Sequence, residues 1–204
     1  GGIWFLGNSA DASKDGITIK RTVQSPLSSF VASKITTSYL GRHDTSRSTK
    51  SGKRTGWGDD IDAISLLGLS EEEWSVKAIS SRNSADDGID ITNSRISLDR
   101  LEILAPVEDA INLSSSQLQI KKALTIAMQP SKRDCHLFDL EVDDGPSFLA
   151  IYNGCNVNLL GRLGNQLTLV SSNINLENGT KNPTIHFKGR IKRKPTLVYS
   201  ISDD

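Results

Sequence analysis

One short phrase occurs twice between Asp86 and Ile126, and it restricts the chain to a narrow set of folds. The first copy begins with Asp87-Gly88-Ile89-Asp90-Ile91 and the second with Asp109-Ala110-Ile111-Asn112-Leu113. Each copy continues with two segments that have apolar residues at alternate positions, Ile96-Ser97-Leu98 and Leu101-Glu102-Ile103 in the first, and Leu118-Gln119-Ile120 and Leu124-Thr125-Ile126 in the second. Because side chains alternate between the two faces of a strand, each copy predicts three short strands.

The frame of this phrase extends to both sides of the two copies. Matching segments begin at Asp62, Asp87, Asp109, His136 and Asn165, at successive offsets of 25, 22, 27 and 29 residues. A period of about 20 to 30 residues without an intervening helix is typical of a solenoid whose coils stack on one another. We therefore predict an all-β fold, a right-handed parallel β-helix (β-solenoid) of about six to eight coils.

Polar breaks between the predicted strands indicate corners. At Thr92-Asn93-Ser94 and Ser114-Ser115-Ser116, short hydroxyl and amide side chains are expected to bond backbone groups that the turn leaves without partners. We align Val157-Asn158-Leu159 with Ile96-Ser97-Leu98, the second strand of a coil. The segment from Leu66 to Trp74, with Ser70 as N-cap, predicts a single helical turn at a corner.

The two parts of the chain differ in composition but are expected to form one continuous domain. Residues 1–58 predict N-terminal capping or irregular coils, and residues 59–204 predict the coils of the β-helix. Residues 41–55 hold five Lys or Arg residues among Ser, Thr and Gly, without Val, Ile, Leu or an aromatic residue, which indicates a long basic loop. No run approaches the roughly 18 apolar residues of a membrane span, so no membrane partner is expected.

The charge of the whole chain is balanced, with 24 Lys and Arg residues against 24 Asp and Glu residues. This balance excludes a global field that attracts nucleic acid or an acidic membrane, so any electrostatic function has to be local. The two cysteines, Cys135 and Cys155, are too few for a disulfide framework. We expect two unpaired buried thiols, and a single disulfide is the alternative.

Acidic residues gather at the start of successive predicted coils. Neighbouring coils lie about 5 Å apart, where two like charges repel by roughly 3 kcal/mol at an effective dielectric of about 20. A cation such as calcium, raised pKa values, arginines or hydrogen bonds to turn amides can relieve this repulsion. Asp62, Asp87 and Asp109 share the parity of the inward Ile and Leu residues, so we expect them to bond the backbone at a corner.

A second set of acidic residues is predicted to point outward. Asp86 and Glu108 precede the corner residues, and one outward row along a sheet is expected to contain Ser65, Asp90, Asn112, Asp139 and Thr168. Two carboxylates in a groove can act as acid and base in glycoside hydrolysis, or can hold a metal for β-elimination. If the protein is an enzyme, the candidate catalytic residues are Asp60, Asp86, Asp90 and Glu108.

The phrase Asp86-Asp87-Gly88-Ile89-Asp90-Ile91 resembles the rungs of right-handed parallel β-helix proteins of the pectate-lyase-like superfamily. The resemblance covers about residues 59–176 and concerns architecture. It implies three stacked parallel sheets and a long exposed groove, on which many members process acidic polysaccharides while others are non-catalytic. The Asn-Thr-Asp and Gly-His-Gly motifs of polygalacturonase-like members are absent from this chain.

A basic run near the end of the chain gives a further candidate site. Its residues Arg190, Lys192 and Lys194, together with Arg54 of the basic loop, are candidate ligand-binding residues for a polyanion such as a uronate chain or nucleic acid. The alternative is an edge strand that Lys and Pro protect from pairing.

Two functions stay open. The first is a non-catalytic β-helix scaffold or binding module, alone or within a larger protein, that recognises a polyanion or a protein partner. The second is a polysaccharide-active enzyme, a glycoside hydrolase or polysaccharide lyase. The low aromatic content, 5% of residues, favours the first because it leaves little surface for sugar stacking. The expected partner is a polysaccharide or a protein, and nucleic acid is a weaker candidate. The sequence predicts no cofactor other than a possible calcium ion, and no residue is predicted to be a metal ligand.

Overall fold

The computed structural model describes residues 3–6, 16–20, 29–41, 62–129, 135–141, 147–152, 155–161, 184–188 and 199–200. In this part of the chain the fold is all-β, and every pair of neighbouring strands is parallel. The strands are β1 (Ile3–Leu6), β2 (Ile17–Lys20), β3 (Phe30–Ala32), β4 (Ile35–Ser38), β5 (Ile64–Leu67), β6 (Trp74–Val76), β7 (Ala78–Arg82), β8 (Ile89–Thr92), β9 (Arg95–Leu104), β10 (Ile111–Ser114), β11 (Gln117–Ala127), β12 (Phe138–Glu141), β13 (Phe148–Ile151), β14 (Asn156–Leu160), β15 (Thr184–Lys188) and β16 (Tyr199–Ser200).

The strands form three separate sheets that the chain visits in turn. The large sheet has the order β1-β4-β7-β9-β11-β13-β16, and β14 and β15 extend it from β11. The second sheet has the order β12-β10-β8-β5-β2, and the small third sheet pairs β3 with β6. We call one passage through the second sheet and then the large sheet a circuit. The strands of successive circuits stack on one another, and this arrangement is compatible with a β-solenoid.

The apolar residues of each circuit form continuous columns inside the molecule. Ile64, Ile89, Ile111 and Phe138 are in register across the second sheet and are at most 1% exposed. In the large sheet, Ile79, Leu101, Leu124 and Val157 form an equivalent buried column. The predicted register of the segments at Asp62, Asp87, Asp109 and His136 is therefore confirmed, whereas the segment at Asn165 lies outside the described residues.

The second and third predicted strands of each copy merge into one. β9 has ten residues and β11 has eleven, and their register shifts between Ile120 and Ala123 because β11 carries one residue more at Lys121-Lys122. The alignment of Val157 with Ile96 is wrong. Val157 pairs with Leu124, and Leu149 takes the position beside Leu118. Alternation with a period of two is the same in both strands, so the pattern could not distinguish them.

The polar breaks bond backbone groups at one corner, as predicted. The hydroxyl of Ser94 accepts the backbone N–H of Leu69 at 2.9 Å, that of Ser116 accepts the N–H of Ser94 at 3.0 Å, and that of Ser147 accepts the N–H of Ser116 at 3.3 Å. Ser94 and Ser116 are 1% and 2% exposed. Because a buried amide without an acceptor is costly, this serine column stabilises the stacking of successive circuits.

Two other corners follow from local chemistry. The segment predicted to form a helical turn contains a single turn at residues 71–73, whereas Leu66 belongs to β5 and Trp74 begins β6. Both the N–H and the hydroxyl of Ser70 donate to Glu73 Oε2, at 3.2 and 2.9 Å. Before the return to the second sheet, Tyr39, Asn83 and Ala105 occupy the same corner in successive circuits with φ of 56°, 52° and 57°. The left-handed conformation of these three residues, none of which is glycine, turns the chain at this corner.

Two further observations concern the chain as a whole. Cys135 and Cys155 are buried and form no disulfide, which agrees with the expectation of two buried thiols. Within the described ranges, no helix is long and apolar enough to span a membrane.

Gly88 gives a direct test of how closely the circuits pack. A Cβ atom at this position would overlap the side chain of Ile103 and would lie 2.6 Å from the carbonyl oxygen of Ala110 in the next circuit. We expect Gly88→Ala to lower the free energy of unfolding by about 1 to 3 kcal/mol. Urea denaturation measures this change. Ser97→Ala, on the outer face of β9, is the control and should change stability by less than about 0.5 kcal/mol.

Candidate functional site

The first site begins with aspartates that connect neighbouring circuits. Asp87 Oδ1 accepts the backbone N–H of Asp109 at 2.8 Å, and Asp109 Oδ1 accepts the backbone N–H of His136. The Nδ1 atom of His136 lies 3.3 Å from Asp109 Oδ1. Asp87 and Asp109 therefore bond the backbone at a corner, as their parity predicts.

Asp86, Asp87 and Glu108 form a compact acidic cluster beside this corner. Each offers a carboxylate oxygen, and these oxygens all lie within 4.8 Å of one another. Asp86 is 2% exposed and Asp87 is 7% exposed, so the expectation that Asp86 points outward is wrong. Burial is the main cause that raises the pKa of Asp87 well above its usual value, and the charges of Asp62, Asp109 and Asp86 raise it further.

The chemistry of the acidic cluster allows two ways to reduce its repulsion. Carboxylate oxygens are the ligands that calcium prefers, and three of them at this separation can contact one ion. Protonation of Asp87 reduces the repulsion without an ion, because its raised pKa favours the neutral acid. Of the four candidate catalytic residues, the fold brings Asp86 and Glu108 together here.

Asp90 belongs to a different surface, the outer face of the second sheet. The predicted outward row is observed there, since Ser65, Asp90, Asn112 and Asp139 are in register on adjacent strands. Thr168 lies outside the described residues. Burial is the main cause that raises the pKa of Asp90 to about 6, and the nearby charge of Glu141 also raises it. Burial likewise raises the pKa of Asp139.

A basic stripe crosses the middle of the large sheet, where β9 and β11 change register. We define it by four exposed cations, Lys34, Lys77, Arg100 and Lys121. Ala78, Arg100 and Ala123 are paired on adjacent strands, and Lys34, directly before β4, aligns with Ala78 because Ile35 pairs with Ile79. The N–H of Arg100 donates to the carbonyl of Lys77 at 3.0 Å, and Lys121 lies in the register shift one strand further. Because adjacent strands lie about 4.8 Å apart, Lys34 and Arg100, which are two strands apart, are separated by about 10 Å along the stripe.

The neighbours of the stripe include ion pairs and an aromatic ring. Lys122 pairs with Asp99 at 2.8 Å, and Lys121 Nζ lies 5.5 Å from the ring centre of Tyr152. The Tyr152 hydroxyl donates to Gln119 at 2.7 Å, which fixes the ring. Among the described residues, no carboxylate forms an ion pair with Lys34, Lys77 or Arg100. The stripe is therefore a surface of net positive charge.

Most of the described charges divide between the two main sheets, whereas Glu71, Glu72 and Glu73 lie in the turn that leads into β6. The large sheet and its adjoining corners hold Lys34, Lys77, Arg82, Arg95, Arg100, Lys121 and Lys122 against Asp99 and Glu102. The second sheet and the corner that leads into it hold Asp62, Asp86, Asp87, Asp90, Glu108, Asp109, Asp139 and Glu141 against Lys20. Although the net charge of the whole chain is zero, the described residues form two surfaces of opposite sign.

The remaining candidate residues lie outside the described part of the chain. These are the catalytic candidate Asp60 and the ligand-binding candidates Arg54, Arg190, Lys192 and Lys194. Sequence analysis missed the basic stripe because its members are separated by 21 to 43 positions in the chain. The sequence nevertheless contained a signal, since each of these circuits has a Lys or Arg directly before or within its strand of the large sheet.

The pH dependence of stability tests the environment of Asp90. A carboxyl group whose folded-state pKa is raised binds its proton more tightly in the folded protein, so its contribution to stability falls as pH rises from about 4 to about 6. We expect Asp90→Asn to gain stability relative to the parent protein over this interval. Urea midpoints at a series of pH values measure the difference.

Glu102 provides the control with the opposite sign. Hydrogen bonds from Ser80 and Arg82 and the charges of Arg82 and Lys34 together outweigh the effect of burial and lower the pKa of Glu102. Its stabilising contribution is present at neutral pH and is lost as pH falls. Glu102→Gln should therefore be less stable than the parent at neutral pH and equal to it in acid. If the stabilities of the two variants relative to the parent change with pH in the same direction, at least one of the two pKa assignments is wrong.

Comparison with known proteins gives no match for this chain, since no family model, no curated protein and no solved structure resembles it significantly.

Proposed function

We propose that the protein is a right-handed parallel β-helix of about six to eight coils that acts as a non-catalytic scaffold or binding module for a linear polyanion. The observation that carries this proposal is the basic stripe of Lys34, Lys77, Arg100 and Lys121. An acidic polysaccharide is the favoured ligand, and single-stranded nucleic acid is the alternative ligand that the test distinguishes.

The electrostatics of the stripe support this proposal. Like charges on exposed side chains of neighbouring strands repel one another, although solvent and salt screen this repulsion. An anionic chain along the stripe replaces this repulsion with attraction and releases the counterions that both surfaces hold. The cations lie along the line of strand stacking, with Lys34 and Arg100 at one register position and Lys77 one position before it. A single extended chain with regularly spaced anionic groups fits such a line.

Charge removal along the stripe tests the proposal. We expect the variant Lys34→Gln, Lys77→Gln, Arg100→Gln, Lys121→Gln to bind heparin with an affinity lower by on the order of tenfold to a hundredfold at low salt. For single-stranded DNA, the slope of log affinity against log salt should fall by roughly 3. Fluorescence anisotropy over a salt series measures both.

Lys20→Gln is the matched control, because Lys20 is exposed but belongs to the second sheet. It should bind heparin like the parent protein. Equal affinity of the stripe variant and the parent would refute the stripe as the binding surface. Tighter binding of DNA than of heparin at equal salt would favour nucleic acid as the ligand.

The basic run near the end of the chain is a separate part of the proposal. Arg190, Lys192, Lys194 and Arg54 add ligand-binding charge if they extend the surface that the polyanion contacts. Arg190→Gln, Lys192→Gln, Lys194→Gln should then weaken heparin binding further when it is combined with the stripe variant. An unchanged affinity would support their role as edge protection instead.

A second function, a polysaccharide-active enzyme, is favoured by the pKa of Asp90. A carboxyl group with a pKa near 6 can act as general acid near neutral pH. Asp90 and Asp139 flank Asn112 on the same face, about 10 Å apart by strand spacing, which is slightly wider than the usual separation of an inverting pair.

Activity measurements decide between the two functions. If the protein is an enzyme, it depolymerises pectin, alginate or a glycosaminoglycan, and Asp90→Asn abolishes that activity while heparin binding is retained. Reducing-end and unsaturated-product assays distinguish hydrolase from lyase. No activity on this panel, with or without calcium, together with normal heparin binding, would leave the non-catalytic module.

A further inference from the structure

We propose that the outer face of the second sheet docks onto the basic stripe of a second copy of this chain, so that copies associate side by side. The inference goes beyond polyanion binding but rests on the same stripe, so a polyanion and a second copy compete for it. In addition to the stripe, the second sheet carries a separate acidic face.

The acidic face consists of half-buried side chains on three adjacent strands. Asp90 and Asp139 lie in one column on either side of Asn112, and Glu141 lies in the neighbouring column with Thr92 and Ser114. Part of the solvent around these carboxylates is already displaced. A cation that approaches them therefore meets a smaller desolvation cost and a stronger field than at a fully exposed acid.

The spacing of charges on the two surfaces matches. Asp90 and Asp139 are separated by two strand spacings, because Asn112 lies between them. Lys34 and Arg100 are also separated by two strand spacings, because Ala78 lies between them. Both pairs are therefore about 10 Å apart along the direction of strand stacking. Two copies with aligned stacking directions can oppose both carboxylates to both cations at once.

The positions of the two surfaces in the circuit decide the kind of association. Ile89 and Ile111 begin successive circuits in the second sheet, and Arg100 lies midway between them along the chain. The stripe is thus half a circuit away from the acidic face. A copy that docks its acidic face onto one neighbour leaves its own stripe available to another. Such a contact is heterologous and does not close, so it generates rows of copies.

The balanced charge of the chain favours a second copy over another protein. The sequence has a net charge of zero at neutral pH and a pI of about 7.0, so no overall repulsion opposes association. The segregation of the described charges gives each copy both complementary surfaces. Attraction between them is stronger at low ionic strength because salt screens charges separated by more than about 10 Å at 0.1 M.

Sedimentation velocity of the full chain tests the inference. The parent protein should form concentration-dependent species larger than a dimer at about 20 mM salt and should dissociate at about 500 mM salt. The basic variant Lys34→Glu, Arg100→Glu and the acidic-face variant Asp90→Asn, Asp139→Asn should each be monomeric under both conditions. Circular dichroism and the urea midpoint confirm that both variants are folded.

Mixing the two variants gives the decisive measurement. The basic variant keeps its acidic face and the acidic-face variant keeps its stripe, so one complementary contact remains between them. We expect the mixture to form a 1:1 dimer that does not grow, because neither free end has a partner. A mixture that stays monomeric, or association of the parent that neither salt nor the variants reduce, overturns the inference.

Heparin binding separates this inference from the proposed function. The acidic-face variant should bind heparin at least as tightly as the parent, and added heparin should dissociate the rows formed by the parent. A parent protein that binds heparin through the stripe but remains monomeric at low salt and high concentration refutes self-association alone. Self-association without heparin binding refutes the proposed function alone.

Discussion

The structure depends on hydrogen bonding between parallel strands of successive circuits. A single circuit has its backbone donors and acceptors directed along the stacking axis, and its apolar side chains cannot cover one another without a neighbour. Ile64, Ile89 and Ile111 are fully buried because each is covered by the equivalent side chains of both neighbouring circuits. Stability therefore grows with each added circuit, as expected for a quasi-one-dimensional array.

The corners impose the second constraint, because the backbone there leaves the sheets. Ser94, Ser116 and Ser147 supply side-chain acceptors at one corner, and Asp87 and Asp109 supply them at another. Serine achieves this without charge. Aspartate brings a charge to successive circuits. The pKa of Asp87 is raised mainly by burial, and the charges of Asp62, Asp109 and Asp86 raise it further. The acidic cluster is thus a consequence of the way the chain turns.

Stacking also converts a balanced sequence into separate charged surfaces. Any residue type that recurs at one position of the circuit becomes a line of like side chains about 4.8 Å apart. Acids recur at the entry to the second sheet and cations recur near the middle of the large sheet, so lines of opposite sign form on different faces. This segregation underlies both polyanion binding and self-association as proposed functions of the stripe.

The sequence by itself determined the strand class, the inward Ile and Leu columns, the register of the second sheet and the backbone bonding of Asp87 and the serine corner. These follow from local alternation and turn chemistry, which repeat within the chain. Tertiary structure alone decided that Asp86 is buried, that Val157 pairs with Leu124 and that Lys34, Lys77, Arg100 and Lys121 form one stripe. Alternation with a period of two is the same in every strand, so it cannot decide which strands pair. Residues more than 20 positions apart become neighbours only when packing fixes the number of residues in each corner.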